Sequence, residues 1–413
     1  MIQEIVKTNA CCHCGMCIAA CPQDAIELDE SDYPQVSECC NECGICYEIC
    51  PRVGMPYSKI QSQLKETNSI TQEEDLLGHY NQILSARSTD SEIYKKAYCG
   101  GMTTTFLTHL MGKGIINEAL LTDKAHDFSF CAHPMPRVAK TVDDIITCAY
   151  TKPTINPQLS KLPVEGKSIA VVGTSCHVEA IRKAQYLSEY GTVSKKRAKE
   201  LVGNIEWVIG LSCFFANNKR GIEIMLGEKN LREEEVKRFY YSQGLPIAEL
   251  FSGEKIEFDQ SDSNFKSLSL GCLLCYPSYT AKLSDITFGK TMTEEWGWND
   301  AISRSKKADE VLSEMKESGK METRPILSAG DELLNGLLDG KVFSQDAFGY
   351  AHYLKTGNFQ LDEATGAMLR GQRGGTIKGI NRIKLIQAVR KHTFYETVVK
   401  ERKKAGIFTP QLT

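Results

Sequence analysis

"SIAVVGTSCHVEAIRKAQYL", residues 168–187, decides how the chain is read. Ser168 to Gly173 is a short apolar run closed by glycine, the pattern of a parallel strand buried on both faces. The residues after it switch to a helical spacing, so the stretch predicts strand, turn and helix, with Cys176 just past the strand. The same grammar recurs. "EALLTD" (118–123) and "IEWVIGLSCF" (205–214) read as strands, and "YCGGMTTTFLTHLMGKGII" (98–116) as a glycine turn leading into a helix. Strand, turn and helix in alternation predict an α/β domain.

A chain of 413 residues suggests about two to three domains. Its net charge of −3 recruits no nucleic acid. No apolar run reaches the length of a membrane span. The N-terminus, "MIQEIVKTNACCHC", lacks the apolar core and cleavage site of a signal peptide. The expected location is therefore the cytoplasm, either free or peripheral to a membrane complex. Thiols stay reduced there, so seventeen cysteines point to metal or redox chemistry rather than disulfides.

Eight of those cysteines fall in a repeat. The first copy is Cys11-x2-Cys14-x2-Cys17-x3-Cys21-Pro22 and the second Cys40-x2-Cys43-x2-Cys46-x3-Cys50-Pro51. A C-x2-C-x2-C loop wraps three thiolates round one face of a cubane, and the fourth cysteine, before proline, turns to the other cluster. The spacing assigns Cys11, Cys14, Cys17 and Cys50 to one 4Fe–4S cluster, and Cys40, Cys43, Cys46 and Cys21 to a second. Structural zinc, which also takes four cysteines, is the competing reading. Gly15 and Gly44 occupy the same place in each loop, where a missing Cβ lets the backbone approach a cluster. Cys12 and Cys39 fall outside the pattern and read as packed or incidental thiols. Residues 1–57 resemble a bacterial-type two-cluster 4Fe–4S ferredoxin.

Residues 58–90 are polar and read as a partly helical linker. The tail, 331–413, reads as a mostly helical extension, and Arg370 to Lys404 carries eleven Lys or Arg against two Glu. Such a stretch is either a solvated basic face or a docking surface for an acidic partner or membrane-bound complex. "EGKS" at 165–168 looks like the end of a phosphate-binding loop, but the first glycine of that motif would fall on Lys161, which rejects it.

Seven cysteines lie beyond residue 90. Cys176 and Cys213 each follow a predicted strand, and loops at such strand ends converge on the ligand crevice of open α/β sheets. With Cys272 and Cys275 of "GCLLC" they make four ligands for a third 4Fe–4S cluster. A redox-active Cys272–Cys275 disulfide, a zinc site and buried inert thiols are the alternatives. No role follows for Cys99, Cys131 or Cys148.

"GGMTTTFLTHLMGKGIINEALL", "VVGTSCHVEAIRKA", "IGLSC" and "GCLLCYPSYTAKLSDITFGK", in this order and followed by "EEWGWNDAISRSKKADEVL", resemble the coenzyme F420 hydrogenase/dehydrogenase beta-subunit family. The resemblance covers about residues 95–320, and with the N-terminal ferredoxin the layout is similar to F420H2 dehydrogenase input subunits. It implies an FAD, a cysteine-ligated 4Fe–4S cluster beside it, and a face exchanging hydride with F420. By position it places the cluster ligands on Cys176, Cys213, Cys272 and Cys275. It places the flavin turn on Gly100, Gly101, Thr103 and Thr104, with Gly173 and Thr174 bordering the cofactor. An ordinary glycine turn capping a helix competes with that assignment. The chain departs from the family pattern at Cys99, at Ser175 and His177, around 148–152, and at Tyr276 to Tyr279, which puts the substrate in question.

The expected fold is thus an α+β ferredoxin-like dicluster domain (1–57), a linker (58–90), an α/β flavin-binding domain (91–330) and a helical basic extension (331–413). F420 carries two electrons as hydride and iron–sulfur clusters carry one each, so a flavin between them makes chemical sense. The implied activity is hydride exchange between F420 and FAD, with single electrons relayed through three 4Fe–4S clusters to or from ferredoxin or a larger redox complex. The alternatives are the same scaffold reducing another two-electron substrate with ferredoxin, or a relay subunit with no substrate of its own. His177 reads as a cluster or flavin partner or as a structural histidine. Trp296 and Trp298 read as ring-stacking or core residues, and Lys282 and Lys290 as cofactor-tail contacts or surface lysines.

Overall fold

The computed structural model describes residues 2–7, 10–70, 72–74, 77–97, 99–124, 134–147, 157–162, 168–213, 216–217, 219–242, 245–259, 269, 271–272, 280–290 and 297–324. The N-terminal unit contains α1 (Ile2–Lys7), α2 (Met16–Ala19), the antiparallel pair β1 (Ile26–Leu28) and β2 (Pro34–Val36), and α3 (Ile45–Ile49). α2 and α3 are each entered through a left-handed glycine, Gly15 at φ 81° and Gly44 at φ 77°. A side chain there would be strained, so the repeat keeps glycine at both places. At Gly15 space is also decisive: a Cβ would stand 2.5 Å from the Pro157 carbonyl oxygen. The close approach at Gly15 is therefore to protein backbone, not only to whatever the cysteines hold.

Residues 58–90, read as a linker, are organised. They hold most of α4 (Tyr57–Asn68), the hairpin β3 (Gln72–Glu74) and β4 (Gly78–Tyr80), and β5 (Gln82–Ser88). The polar composition hid β5, which is half-buried near the edge of the main sheet. After it come α5 (Ser91–Lys96), α6 (Met102–Gly112), β6 (Glu118–Lys124), β7 (Pro134–Ala139), α7 (Val142–Thr147) and a 3₁₀ turn at Gln158–Lys161. Next are β8 (Ile169–Thr174), α8 (Ser175–Tyr190), α9 (Lys195–Val202) and β9 (Ile205–Leu211).

An insertion follows that the sequence reading did not separate: α10 (Lys219–Glu228) and the antiparallel β10 (Val236–Ser242), β11 (Leu245–Leu250) and β12 (Lys255–Glu257). It has its own small core around Ile222, Met225, Phe239 and Phe258. β13 (Ile286–Lys290), β14 (Asn299–Ser303), α11 (Lys306–Glu317) and β15 (Met321–Arg324) complete the described chain. The basic tail and Cys131, Cys148 and Cys275 lie outside the described residues. Among the described residues no helix is long and apolar enough to cross a membrane.

The eight-stranded sheet runs β15-β5-β14-β13-β9-β8-β6-β7. β6, β8, β9 and β13 are parallel, while β7, β14 and β15 run antiparallel to their neighbours. Burial explains the continuous apolar run that opens the reading. Ile169 and Val171 of β8 face one core with Val178 and Ile181 of α8. Ala170 and Val172 face another with Phe106, Trp207 and Phe288. Phe106 meets Trp207 and Phe288 edge-on at 5.4 and 5.5 Å, contacts worth about 0.5–1.5 kcal/mol each beyond burial. Cys12, Cys14, Met16, Ala20 and Ile49 of the N-terminal unit belong to the first of these cores, so that unit shares its interior with α8 and α9.

Candidate functional site

The repeat folds into two cysteine-lined cavities. Cys11, Cys14, Cys17 and Cys50 line one, together with Cys12 and His13. Cys21, Cys40, Cys43 and Cys46 line the other. The fourth cysteine of each copy therefore sits with the first three of the other. Backbone N–H groups aim at the sulfurs: His13 donates to Cys11 Sγ at 3.4 Å and Ala25 to Cys21 Sγ at 3.3 Å. Among the described residues no three His, Cys, Asp or Glu side chains converge tightly enough for a single metal ion. Four thiols line each cavity, a donor set of the kind that holds a 4Fe–4S cluster.

The first cavity is the deeper. Cys14, Cys17 and Cys50 are buried, whereas Cys43 and Cys39, beside the second, are exposed. Burial pushes the Cys17 thiol well up and Cys50 up to about 11, and Cys14 is raised by its hydrogen bond with Cys12 and by burial. These thiols hold their protons at neutral pH, so filling the cavity must release them. Two buried cations oppose the trend. Lys183 of α8 donates to the carbonyls of Cys50, at 2.7 Å, and Val53, and its charge pulls the Cys50 thiol downward. Arg52 lowers Cys11 and Cys50 in the same way, and its Nη2 donates to the Gly271 carbonyl at 3.1 Å.

That last bond fastens the first cavity to the third cysteine set. Cys176 lies in the first turn of α8, at the carboxyl end of β8. Its Sγ is 3.2 Å from the Thr174 hydroxyl, and it packs against the core that holds Cys12 and Cys14. Cys213 follows β9, and Cys272 lies next to Gly271. The two loops touch: Ala216 N donates to Cys272 Sγ at 3.4 Å, and Ser269 N to the Ala216 carbonyl at 3.2 Å. The buried pair Arg182–Asp285, at 3.1 Å, ties α8 to the end of the following segment, and Asp285 also accepts from Val208 N at 2.7 Å.

Thr174 and His177 form a capping box on α8, with Thr174 N donating to His177 Nδ1 at 3.2 Å. That leaves the ring proton on Nε2 and makes His177 a helix-start residue, the structural reading of the two. Gly173 is needed because a Cβ would stand 2.6 Å from that of His177. Gly100 is similarly enclosed, 2.8 Å from Asn299 Oδ1 for an added Cβ, and Gly101 starts α6. Thr103 and Thr104 sit half-buried in the first turn of that helix. The turn lies at the same sheet edge as Thr174 and Leu211, because β5 runs parallel to β13 through the intervening β14. Trp298 is buried, with the Arg87 and Arg324 guanidinium groups 4.6 and 4.4 Å from its ring centre. Its ring is thus engaged by protein, and Cys99 Sγ donates to its carbonyl at 2.7 Å. Sequence reasoning missed Cys12, Arg52 and Lys183. A thiol directly beside a ligand cysteine was visible, but nothing in the spacing showed what it would meet.

Family models of the coenzyme F420 hydrogenase/dehydrogenase beta subunit match the chain twice, the N-terminal one over residues 83–163 and the C-terminal one over 166–328. The coenzyme F420 hydrogenase subunit beta of Methanothermobacter thermautotrophicus is 30% identical over 270 residues, 61% of this chain and 86% of that protein. The coenzyme F420-dependent sulfite reductase of Methanocaldococcus jannaschii is 27% identical over 332 residues, 78% of this chain and 48% of that protein. A chain in the structure of the F420-reducing [NiFe] hydrogenase complex from Methanosarcina barkeri superposes with a TM-score of 0.60 at 26% identity, covering 68% of this chain and 94% of that one.

Proposed function

The chain belongs to the coenzyme F420 hydrogenase/dehydrogenase beta-subunit family, and from that premise we propose that it is an F420-linked oxidoreductase. In this reading a two-electron carrier reacts at the sheet edge and single electrons run through the N-terminal unit to or from a protein partner. The observation that carries it is the contact between the two halves. Arg52, next to Cys50 and Pro51 of the first cavity, donates to the Gly271 carbonyl at 3.1 Å, and the Cys11 carbonyl packs on the same glycine, beside Cys272 of the third set.

A bound flavin would accept a hydride as a pair and release its electrons singly, the conversion that clusters alone cannot make. The residues bordering its proposed place are Gly100, Gly101, Thr103 and Thr104 at the start of α6, and Gly173 and Thr174 at the end of β8. The free amides of a helix start favour an anionic cofactor group. Cys176, Cys213, Cys272 and Cys275 would hold a third 4Fe–4S cluster, Thr174 donating its hydroxyl to Cys176. The two cavities of the N-terminal unit would hold the others. Lys183 and Arg52 bring positive charge to the first, which favours the extra negative charge of a reduced cluster. The second cavity opens at the exposed Cys43, where a one-electron protein carrier can approach. A ferredoxin or a larger redox complex is the partner class, and the basic tail is a second candidate contact.

The test is anaerobic mixing of the purified holoprotein with F420H2, following the deazaflavin and flavin absorbances together. Appearance of oxidised F420 as flavin and clusters are reduced is the expected result. No reaction with F420H2, while dithionite still reduces both cofactors, would leave the scaffold and replace the substrate.

A further inference from the structure

Two large apolar side chains stand in water where α8 turns into α9: Tyr190 is 57% exposed and Val193 54%. Scattered exposed apolar residues are ordinary, but these share one short turn that is fixed from outside. Glu48 of α3 accepts from the amides of Thr192, Val193 and Ser194 and from the Thr192 hydroxyl, and the Tyr190 ring packs 4.6 Å from that of Tyr186. A turn held in this way presents its side chains already ordered, which lowers the entropy cost of meeting a partner. Its place ties it to the second cavity. Val193 Cγ2 lies 3.9 Å from where a Cβ on Gly44 would stand, next to the exposed Cys43. Arg197 of α9 donates to the Ala19 carbonyl at 2.8 Å, two residues before Cys21 of the same cavity. The start of α9 adds charge. Lys195, Lys196 and Lys199 are exposed and make no ion pair among the described residues, whereas Arg197 pairs with Glu200. The exposed acids nearby are Glu189, before Tyr190, and Glu38 and Glu42 in the second cysteine loop.

We propose that Tyr190, Val193 and the lysines of α9 form the docking face for an acidic one-electron carrier protein, which exchanges its electron with the second cavity at Cys43. The inference rests on the cluster reading given above. An apolar centre with a charged rim is the usual anatomy of a protein contact, and tyrosine is among the residues that carry most of its energy. Lys195, Lys196 and Lys199 set the sign of the rim, so a carrier with an acidic rim is the one that fits. Glu38 and Glu42 repel that rim from the cysteine loop and turn it towards α9, which orients the carrier as well as attracting it. The step moves one electron between the carrier and the group held by Cys21, Cys40, Cys43 and Cys46, in either direction. No bond forms or breaks, and no proton moves.

The experiment compares the wild-type full-length holoprotein with Lys195→Glu/Lys196→Glu and Tyr190→Ser/Val193→Ser. Each is mixed anaerobically in a stopped-flow instrument with a reduced plant-type 2Fe–2S ferredoxin, an acidic protein, and separately with reduced methyl viologen, which is too small to need a docking face. The charge variant is expected to slow electron entry from ferredoxin by about tenfold or more at low salt and to converge with wild type at high salt. The apolar variant is expected to slow it at every salt concentration, because apolar contact is not screened. Viologen rates are expected to match wild type in both. Ferredoxin rates equal to wild type in either variant, or viologen rates that fall by the same factor, overturn the proposal. If the apolar variant does not retain iron, the charge variant decides alone by its salt dependence. Sedimentation is run alongside. Self-association of the wild type that the apolar variant loses, with ferredoxin rates unchanged, gives the face to a second copy and overturns the proposal. A wild type that takes electrons from viologen but not from ferredoxin overturns the docking face and leaves the cluster reading intact. One that takes electrons from neither overturns both. F420 has no part in the assay, so a failed F420 reaction leaves the inference standing.

Discussion

A Cβ on Gly271 would stand 1.9 Å from the carbonyl oxygen of Cys11. No real side chain fits there, so Gly271 is where the N-terminal unit seats against the sheet. Gly271→Ala must push the first cysteine loop away from the third set. Overpacking of this kind costs about 1–3 kcal/mol or more. The expected outcome is a lower melting temperature of the holoprotein, with slower reduction of the N-terminal clusters from F420H2 and unchanged flavin reduction. Melting by calorimetry and stopped-flow absorbance check it.

The crossed cavities make a sharper claim about which cysteine serves which group. Cys50 closes the first cavity although it belongs to the second motif, and Cys21 the reverse. Cys50→Ala should therefore remove or convert the buried cluster, and Cys21→Ala the exposed one. EPR of the reduced variants, with a protein electron acceptor probing accessibility, tells the two apart. An uncrossed result, each motif losing its own cluster, would refute the assignment.

Lys183 supplies both a charge and two hydrogen bonds at the first cavity, to the carbonyls of Cys50 and Val53. Lys183→Met keeps the length and removes both. The Cys50 carbonyl still accepts from the Val53 amide at 3.0 Å, so the loss falls on the Val53 carbonyl, and an unsatisfied buried carbonyl costs about 1–3 kcal/mol. The first-cavity cluster should also move to a more negative potential, because a buried positive charge no longer favours its reduced state. Lys183→Arg should recover part of the potential. Potentiometry of the two variants is the measurement.

Glu48 of α3 anchors the other side of the junction. Its carboxylate accepts from the amides of Thr192 at 2.9 Å, Val193 at 3.0 Å and Ser194 at 2.7 Å, and from the Thr192 hydroxyl. Burial opposes its charge, but these bonds win and hold the carboxyl at about 2 against an ordinary 4.5. A depressed acid stabilises the fold above its unfolded pKa and loses that contribution as pH falls toward the folded one. The contribution is thus constant from neutral pH down to about 4.5 and fades between there and about 2. Glu48→Gln should speed amide hydrogen exchange at 192–194 by the same factor, relative to wild type, across pH 5 to 8. A difference that changes over that range would show another group in control.

The sequence by itself determined which thiols gather in each cavity and the kind of sheet. Cysteine spacing is local, so the repeat announced two four-thiol sets and even their crossing. The apolar run at 169–172 needed only its own length and neighbours to read as a strand buried on both faces. The strand β5 was lost because a half-buried position one strand in from the sheet edge tolerates polar residues, and the insertion at 219–257 because its core is small and self-contained. Glycines at 100 and 173, assigned to the cofactor by resemblance, are also required by their neighbours Asn299 and His177. What only the tertiary structure decided is the junction. Cys12 and Cys176, Cys11 and Gly271, Lys183 and Cys50 are far apart in the chain, and no periodicity links them. They meet because α8 presents one face to the sheet core while the N-terminal unit packs into the same interior, and burial there fixes which thiols and charges share the space.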